Sequence, residues 1–127
     1  MKITAVRTQP YHIQLNRAIS DANDPVGFDQ MPMMAVWIDT DVGVSGVTLS
    51  SPSAQNLIHT MVNEILIGRD PRGVRGHWKR LMDAAFKGGN RGLVNGAISA
   101  IDIALWDLKA KLNSEPLWKT LGASTRK

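Results

Sequence analysis

The sequence predicts an α+β domain in which a three-stranded antiparallel meander is followed by a helical bundle. Two observations support this fold class. Apolar residues alternate with polar ones in the first half of the chain, and they recur at i, i+3 and i+4 in the second half. The 127 residues, 43% of them hydrophobic, can bury one core. They are too few for an eight-stranded β/α barrel, which needs about 250 residues.

Three strands are predicted in the first half. The first alternates apolar and polar residues over 11–16, begins near Ile3, and is expected to be bent or interrupted at Pro10. The second is expected from about 34 to 40 and the third from about 44 to 49. A Thr-Asp-Val-Gly turn joins the last two as a hairpin.

Residues 16–33 follow neither period and are predicted to be a long loop. The segment is rich in Asp, Asn, Pro and Gly, yet it joins two strands that two to five residues could connect. Loops of this length without secondary structure are usually functional or disordered. Phe28 and Met31 are side chains that a purely solvated linker rarely needs, which favours the functional interpretation.

Helices are predicted through the second half. The first runs from about 54 to 65 and ends by Gly68. The second begins with Asp70 as its N-cap and presents an apolar face made of Val74, Trp78, Leu81, Met82 and Phe86. The third, from about 94 to 112, is apolar around most of its circumference, so we expect it to be buried on several sides. A short last helix ends at Gly122.

No residue pattern in the chain gives a self-sufficient active site. The absence of cysteine excludes disulfides and thiolate metal sites, and the three histidines are not spaced to bind a metal, so none is expected. His77 is expected at a surface or interface. The glycine-rich segment 88–92 lacks the Lys-Ser/Thr of a phosphate-binding loop. Asp102 lies in the most apolar helix, where hydrogen bonds or a cation are expected to neutralise it. No catalytic residue is therefore assigned.

Charge is distributed unevenly along the chain. Residues 1–66 hold three basic and six acidic side chains, whereas residues 67–127 hold twelve basic and five acidic ones. No nucleic-acid-binding motif accompanies the basic half, so solvated helix faces explain it better than a nucleic-acid partner does. No secretory signal and no apolar run of about 20 residues is present, which predicts a cytoplasmic protein without a membrane partner.

Residues 97–122, AISAIDIALWDLKAKLNSEPLWKTLG, resemble the N-terminal signature of the mandelate racemase/muconate lactonizing group of the enolase superfamily. Gly-Arg-Asp-Pro at 68–71 and Thr-Asp-x-Gly at 40–43 agree more loosely. Residues 17–22 and 98–107 look like acid-sugar dehydratases of the galactarate/talarate type. A Gly-Val-Thr segment departs from the Gly-x-Gly-Glu of many members, which leaves the subgroup open.

The resemblance implies that residues 1–122 are an N-terminal capping domain and that residues 123–127 begin a linker to a barrel domain absent from this sequence. In that family the barrel binds Mg²⁺ and carries the residues that remove a proton next to a carboxylate. The capping domain would then not be catalytic alone. Lys109 and Lys111 do not reproduce the family's Lys-x-Lys pair, because on a helix they point about 200° apart.

The resemblance also implies that two loops, about 16–33 and 49–54, close over the substrate. The candidate substrate-binding residues are Asp21, Asn23, Asp24, Phe28 and Met31. The expected partners are a sugar acid, the chain's own C-terminal barrel and further copies of the chain. Two alternatives stay open: the cap of a racemase, epimerase or muconate cycloisomerase-type enzyme, and a stand-alone binding module.

Overall fold

Three antiparallel strands followed by helices make up the computed structural model, which describes residues 1–89 and 91–124. The strands are β1 (Ile3–Ile19), β2 (Phe28–Thr40) and β3 (Ser45–Ser50), in the order β1-β2-β3. The helices are α1 (Gln55–Met61), α2 (Val74–Ala85), α3 (Leu93–Leu112) and α4 (Leu117–Thr120). This architecture confirms the predicted α+β fold class.

The core lies between one face of the sheet and the helices. Met34, Val36 and Ile38, alternate residues of the central strand, are fully buried. Helix α3 contacts β3, α1, α2 and α4, and it is the main helical contribution to the core. Its fully buried large side chains are Ile98, Ile101, Leu105 and Leu108. Ile103, on another face of the same helix, is 47% exposed.

A glycine allows α3 to pack directly on β3. A Cβ added to Gly46 would lie 2.0 Å from the Ala104 carbonyl oxygen and 2.7 Å from the Leu108 Cβ. Real Cβ atoms do not approach other atoms this closely, so only glycine fits at this position. The backbone of β3 therefore meets the backbone of α3 at this point, without a layer of side chains between them.

Two side chains of α3 form hydrogen bonds with backbone groups on the outward edge of β3. The Val47 amide donates to Asp107 Oδ2 at 2.8 Å, and Lys111 Nζ donates to the Ser45 carbonyl at 3.0 Å. Asp107 and Lys111 also form an ion pair with each other at 2.5 Å. This i, i+4 ion pair therefore ties the helix to the sheet.

The structure corrects the predicted start and buried face of α2. The helix begins at Val74 rather than at Asp70, whose carboxylate instead accepts from the Arg72 amide within the preceding turn at 3.0 Å. Among the buried residues is His77, expected at a surface or interface, whereas Trp78 is 46% exposed. The imidazole tolerates burial because its Nε2 lies 2.7 Å from the Asp70 carbonyl oxygen and can donate to it.

The helix between the sheet and α2 changes its form along its length. It opens with a 3₁₀ turn at Pro52–Ala54, continues as α1, and closes as a π-helical turn at Val62–Leu66. The predicted helix over about 54–65 is thus confirmed in place but not in regularity. Val62 and Leu66 stay buried through the π turn.

Candidate functional site

Beyond the three-stranded sheet, β1 and β2 continue as a two-stranded arm, residues 11–19 and 28–33. Strand β3 pairs only with residues 34–39 of β2, whereas the β1–β2 pairing continues regularly to Gln14 and Gln30 and, after a shift in register, resumes at Ile19 and Phe28. The long loop predicted over 16–33 is therefore wrong in extent, because only the tip loop, residues 20–27, lacks strand structure. The arm packs against no third strand and is largely exposed, and only its residues 11–16 show the alternation that predicts a strand.

Pro10, where the strand was expected to be bent or interrupted, does not interrupt β1. It pairs with Met34 within the regular part of the β1–β2 register, which runs from Ala5 to Gln14. Because β1 is an edge strand, the missing amide hydrogen of a proline can be accommodated on its unpaired side. The strand thus extends unbroken from the core to the arm.

The tip loop is held in shape by two of the candidate residues. Asp21 Oδ1 accepts from the Asn23 amide at 2.7 Å and the Asp24 amide at 2.9 Å, and Asp24 Oδ1 accepts from the Gly27 amide at 3.1 Å. Gly27 has φ +70°, and a Cβ on it would lie 2.2 Å from the Ile19 carbonyl oxygen. The loop is therefore a preorganised turn at the end of the arm.

The electrostatics of the tip favour an ionised Asp21. Backbone hydrogen bonds from Asp24, and then from Asn23, lower the pKa of the Asp21 carboxyl below its usual range. In the described part of the chain, Asp21 and Asp24 each use only one carboxylate oxygen for these bonds. The other oxygen of each remains available to accept from a hydroxyl group of a ligand.

The remaining candidates do not all lie on one side of the arm. Phe28, 46% exposed, pairs across the arm with Ile19, and Met31 pairs with Ile13. Since successive strand residues point to opposite faces, Phe28 and Met31 project from opposite sides of β2. Asn23 lies in the exposed tip loop. The structure thus brings Asp21, Asn23 and Asp24 together and separates Met31 from Phe28.

The second predicted covering loop, about 49–54, lies at the base of the arm. Ser50, the last residue of β3, pairs with Met34 at the point where the arm leaves the sheet. The following turn is capped by the Ser51 hydroxyl, which accepts from the Ser53 amide at 3.3 Å. Both predicted loops are therefore at the same end of the sheet, as joint coverage of one ligand requires.

The positioning role of Gly27 is absent from the sequence-based predictions. The available signal was Asp-Pro-Val-Gly, a turn sequence in which glycine supplies a positive φ. Arg17 was likewise missed, although it is the only arginine or lysine between residues 8 and 33. It lines a small surface depression of about 260 Å³ beside the tip loop with Ala18, Ile19 and Ser20.

Asp102 lies apart from the core interior, in a groove of about 380 Å³ between α2 and α3. Burial raises the pKa of its carboxyl, and a hydrogen bond from Trp106 opposes that rise. Arg75, Trp78 and Lys79 also line the groove. The sequence predicts hydrogen bonds or a cation around this carboxylate, and the Trp106 side chain supplies such a hydrogen bond.

Within residues 1–89 and 91–124, no group of three or more His, Asp or Glu side chains could hold a metal ion. The same residues contain no helix long and apolar enough to cross a membrane. The glycine-rich segment 88–92 is described only in part, because Asn90 lies outside the described residues, as do residues 125–127 of the predicted linker.

The meander, the helices packed on it and the projecting arm define an α+β domain of the type found at the N-terminus of enolase-superfamily proteins. Residues 22–122 match the family described as "Mandelate racemase / muconate lactonizing enzyme, N-terminal domain", and the chain belongs to this family. The resemblance inferred from residues 97–122 is thereby confirmed.

Solved structures and curated relatives extend the match to nearly the whole chain. An enolase from Bradyrhizobium complexed with magnesium and mandelic acid aligns with a TM-score of 0.86 at 25% identity, covering 98% of this chain and 36% of that one. L-talarate/galactarate dehydratase from Salmonella typhimurium LT2, liganded with Mg and L-lyxarohydroxamate, aligns with a TM-score of 0.76 at 32% identity, covering 98% and 34%.

Among curated relatives, the D-galactarolactone cycloisomerase of Agrobacterium fabrum is 35% identical over 128 residues, which is 99% of this chain and 33% of the relative. A D-galactonate dehydratase family member from Marinomonas sp. is 38% identical over 100 residues, 74% of this chain and 24% of the relative. The chain thus spans about a quarter to a third of the length of these relatives.

Proposed function

We propose that this domain covers the substrate of a Mg²⁺-dependent acid-sugar dehydratase, in which a separate barrel removes a proton next to a carboxylate. The observation that carries the proposal is the arm, whose preorganised tip loop holds Asp21, Asn23 and Asp24 at the same end of the sheet as the turn after β3. Relatives named for galactarate, talarate and galactonate chemistry support a polyhydroxylated substrate.

In this proposal the chain binds and shields the substrate but performs no chemical step. The free carboxylate oxygens of Asp21 and Asp24, and the Asn23 amide, would hydrogen-bond substrate hydroxyls, and Phe28 and Met31 would supply apolar contact. Closing such a loop excludes water and positions the substrate. The described residues do not fit a magnesium site, so the metal would be held by the barrel.

The sharpest test is a domain exchange. Residues 1–122 replace the N-terminal domain of the Salmonella L-talarate/galactarate dehydratase, and dehydration of galactarate with Mg²⁺ is followed by formation of the keto-deoxy product. We expect turnover by the chimaera and none by the isolated chain. The barrel without any N-terminal domain is the control, because it separates coverage of the substrate from the chemistry itself.

Variants at the tip then assign the contacts. Asn23→Ala is expected to raise KM for galactarate about tenfold, the loss of one or two hydrogen bonds to a ligand. Asn113→Ala, on the surface after α3, is the matched control and should leave KM unchanged. Unchanged kinetics for Asn23→Ala, Phe28→Ala and Met31→Ala in an active chimaera would remove the arm from the substrate site.

A second candidate, the capping domain of a cycloisomerase, is favoured by the 35% identity to D-galactarolactone cycloisomerase. The same domain can serve either reaction, because the barrel supplies the acid and base. To distinguish the two candidates, residues 1–122 are also fused to the barrel of the Agrobacterium cycloisomerase. Lactone isomerisation by this second chimaera is then compared with galactarate dehydration by the chimaera that carries the Salmonella barrel, each relative to its parent enzyme. Higher relative activity identifies the barrel that this domain fits.

The proposed enzyme acts in the cytoplasm, on a carboxylate sugar, as a homo-oligomer. Light scattering of the chain at increasing concentration tests self-association, which we expect because several large apolar side chains are exposed. A monomer at every concentration would count against it. A stand-alone binding module would instead bind a sugar acid without any barrel, which calorimetry of the isolated chain can detect.

A further inference from the structure

The face of the sheet that points away from the helices carries a continuous apolar surface. Val36, and the β2 residues that alternate with it, point into the core beneath the helices, so the residues between them point to the other side. Register pairs extend this other side over all three strands, because Trp37 pairs with Val47 and Met33 pairs with Tyr11. We call this surface the outer face, and it consists of Tyr11, Ile13, Met33, Trp37, Val47 and Leu49.

The arm has the alternation of a half-buried strand, although no third strand of the described chain packs on it. Tyr11 and Ile13 share the outer face, whereas His12 and Gln14 point to the other side. Ile13 is 40% exposed, and Leu49, at the β3 margin of the outer face, is 52% exposed. Antiparallel sheets place apolar residues on the face that is covered and polar residues on the face that is solvated. The pattern therefore indicates that the outer face is covered in the assembled protein.

The charges of the outer face favour a copy of the same surface over a basic or an acidic partner. Arg7 and Asp39, at its margin, form a forked ion pair with N–O distances of 2.6 and 3.0 Å. The Arg7 guanidinium also lies over the Trp37 ring, 5.1 Å from its centroid. The other side chains that alternate along this face, over residues 5–15, 31–37 and 45–49, are uncharged. Two such faces can therefore approach each other without like-charge repulsion across the contact.

The size and composition of the outer face suit a weak protein–protein interface. From the strand spacing and the rise per residue, the face measures about 25 Å by 15 Å. Two such faces would remove on the order of 1,000 Å² of accessible surface from water, which is the lower limit for a specific interface. Tyr11, Met33 and Trp37 are residue types that are enriched in interface cores. An interface of this size predicts a dissociation constant in the micromolar range and not in the nanomolar range.

We propose that a second copy of this chain covers the outer face in a two-fold symmetric dimer, with the two sheets stacked about 10 Å apart. An isologous contact of this kind brings the same residues of both copies together, which an uncharged sheet face permits. Met31, which pairs with Ile13, lies at the end of the outer face nearest the tip loop, where this face adjoins the proposed substrate site. The inference gives a surface to the self-association proposed above and does not depend on the enzymatic role.

The first test is sedimentation equilibrium of the isolated chain from micromolar to millimolar concentration. Leu49→Lys places a charge on the contact in each copy, so it should raise the dimer dissociation constant at least about tenfold. Ile103→Lys is the matched control, because Ile103 is similarly exposed, at 47%, but lies on α3, and this change should leave the constant unaltered. Circular dichroism verifies that both variants are folded. A parent chain that stays monomeric at millimolar concentration, or equal weakening by the two variants, would overturn the proposal.

Single cysteines give a second measurement, which does not require the contact to be weakened. The chain contains no cysteine, so each introduced thiol can pair only with its counterpart in another copy. On oxidation, at least one of Ile13→Cys, Met33→Cys and Leu49→Cys should form disulfide-linked dimers faster than Ile103→Cys, because a disulfide requires close Cβ atoms. Equal rates at all four positions would show random collision and refute the proposal.

The same cysteines distinguish a second copy from the barrel as the partner of the outer face. In the Salmonella chimaera, the position that cross-links in the isolated chain should cross-link as well. Loss of the cross-link there would assign the outer face to the barrel and overturn the proposal. Turnover enters neither measurement, so this outcome would leave the proposed function of the domain unaffected.

Discussion

Replacing Gly46 by alanine is expected to be among the most destabilising single changes in this chain. The new Cβ would lie 2.0 Å from the Ala104 carbonyl oxygen and 2.7 Å from the Leu108 Cβ. Carbon and carbonyl oxygen approach no closer than about 3.3 Å in comfortable contacts, so β3 and α3 would have to separate by about 1.3 Å. Neither side can yield locally, because both groups belong to regular backbone.

The magnitude follows from what the separation would cost. Overpacking a well-packed core typically costs about 1–3 kcal/mol, and moving α3 would also disturb its contacts with the buried residues of β2. We therefore expect Gly46→Ala to lower the free energy of unfolding by about 3 kcal/mol. Domains are typically stable by about 5–15 kcal/mol, so the variant should still fold, with a smaller margin.

Urea unfolding followed by far-UV circular dichroism and tryptophan fluorescence measures the difference. The matched control is Gly96→Ala in α3, where a Cβ would meet no atom within 4 Å and φ is not positive. That change should stabilise the chain by about 0.5 kcal/mol through helix propensity. A Gly46→Ala variant within about 0.5 kcal/mol of the parent would refute the close backbone approach, since surface-like substitutions have effects of that size.

Three further changes test other features. Because burial raises the pKa of Asp102, its carboxyl contributes most to stability below the usual aspartate pKa and loses that contribution as pH rises through the raised pKa. Asp102→Asn should therefore raise Tm at pH 7 but not near pH 3. Equal shifts of Tm at the two pH values would contradict this reasoning. Asp107→Ala should lower the free energy of unfolding by about 1–2 kcal/mol in urea, because it frees the Val47 amide and Lys111; no change would show that water replaces the carboxylate. Gly27→Ala should speed hydrogen exchange in the tip loop and leave global stability nearly unchanged, whereas unaltered exchange would show that the turn does not need glycine.

The parts of the fold that bury one face were predictable from the sequence. The apolar stripe of α3 and the alternation in the sheet both report burial, and the structure confirms them. Only the outer part of the arm, residues 16–19 and 28–33, is predicted as a loop from the sequence, because this part is largely exposed and no alternation marks it. The face of α2 was misassigned by one residue, because His77 is buried through a hydrogen bond to a distant carbonyl while Trp78 remains exposed.

For the candidate site, the sequence could indicate a segment of the chain but not the geometry of that segment. The unusual composition of residues 16–33 and the family resemblance both indicated a functional segment. Spacing could not show that Asp21 and Asp24 each commit one oxygen to backbone amides of the turn, because those bonds form only in the folded shape of the tip loop. Sequence spacing also could not show that Phe28 and Met31 lie on a strand, where they point apart.

The contact between α3 and the rim of the sheet limits how copies of this chain can associate. An unprotected strand rim offers amide and carbonyl groups to a neighbouring molecule, which is how chains add strand to strand into aggregates. On β3 the Val47 amide and the Ser45 carbonyl are already occupied by Asp107 and Lys111. These two groups of the β3 rim are therefore closed to strand addition, whereas the unpaired edge of β1 remains the rim that a neighbouring strand could extend.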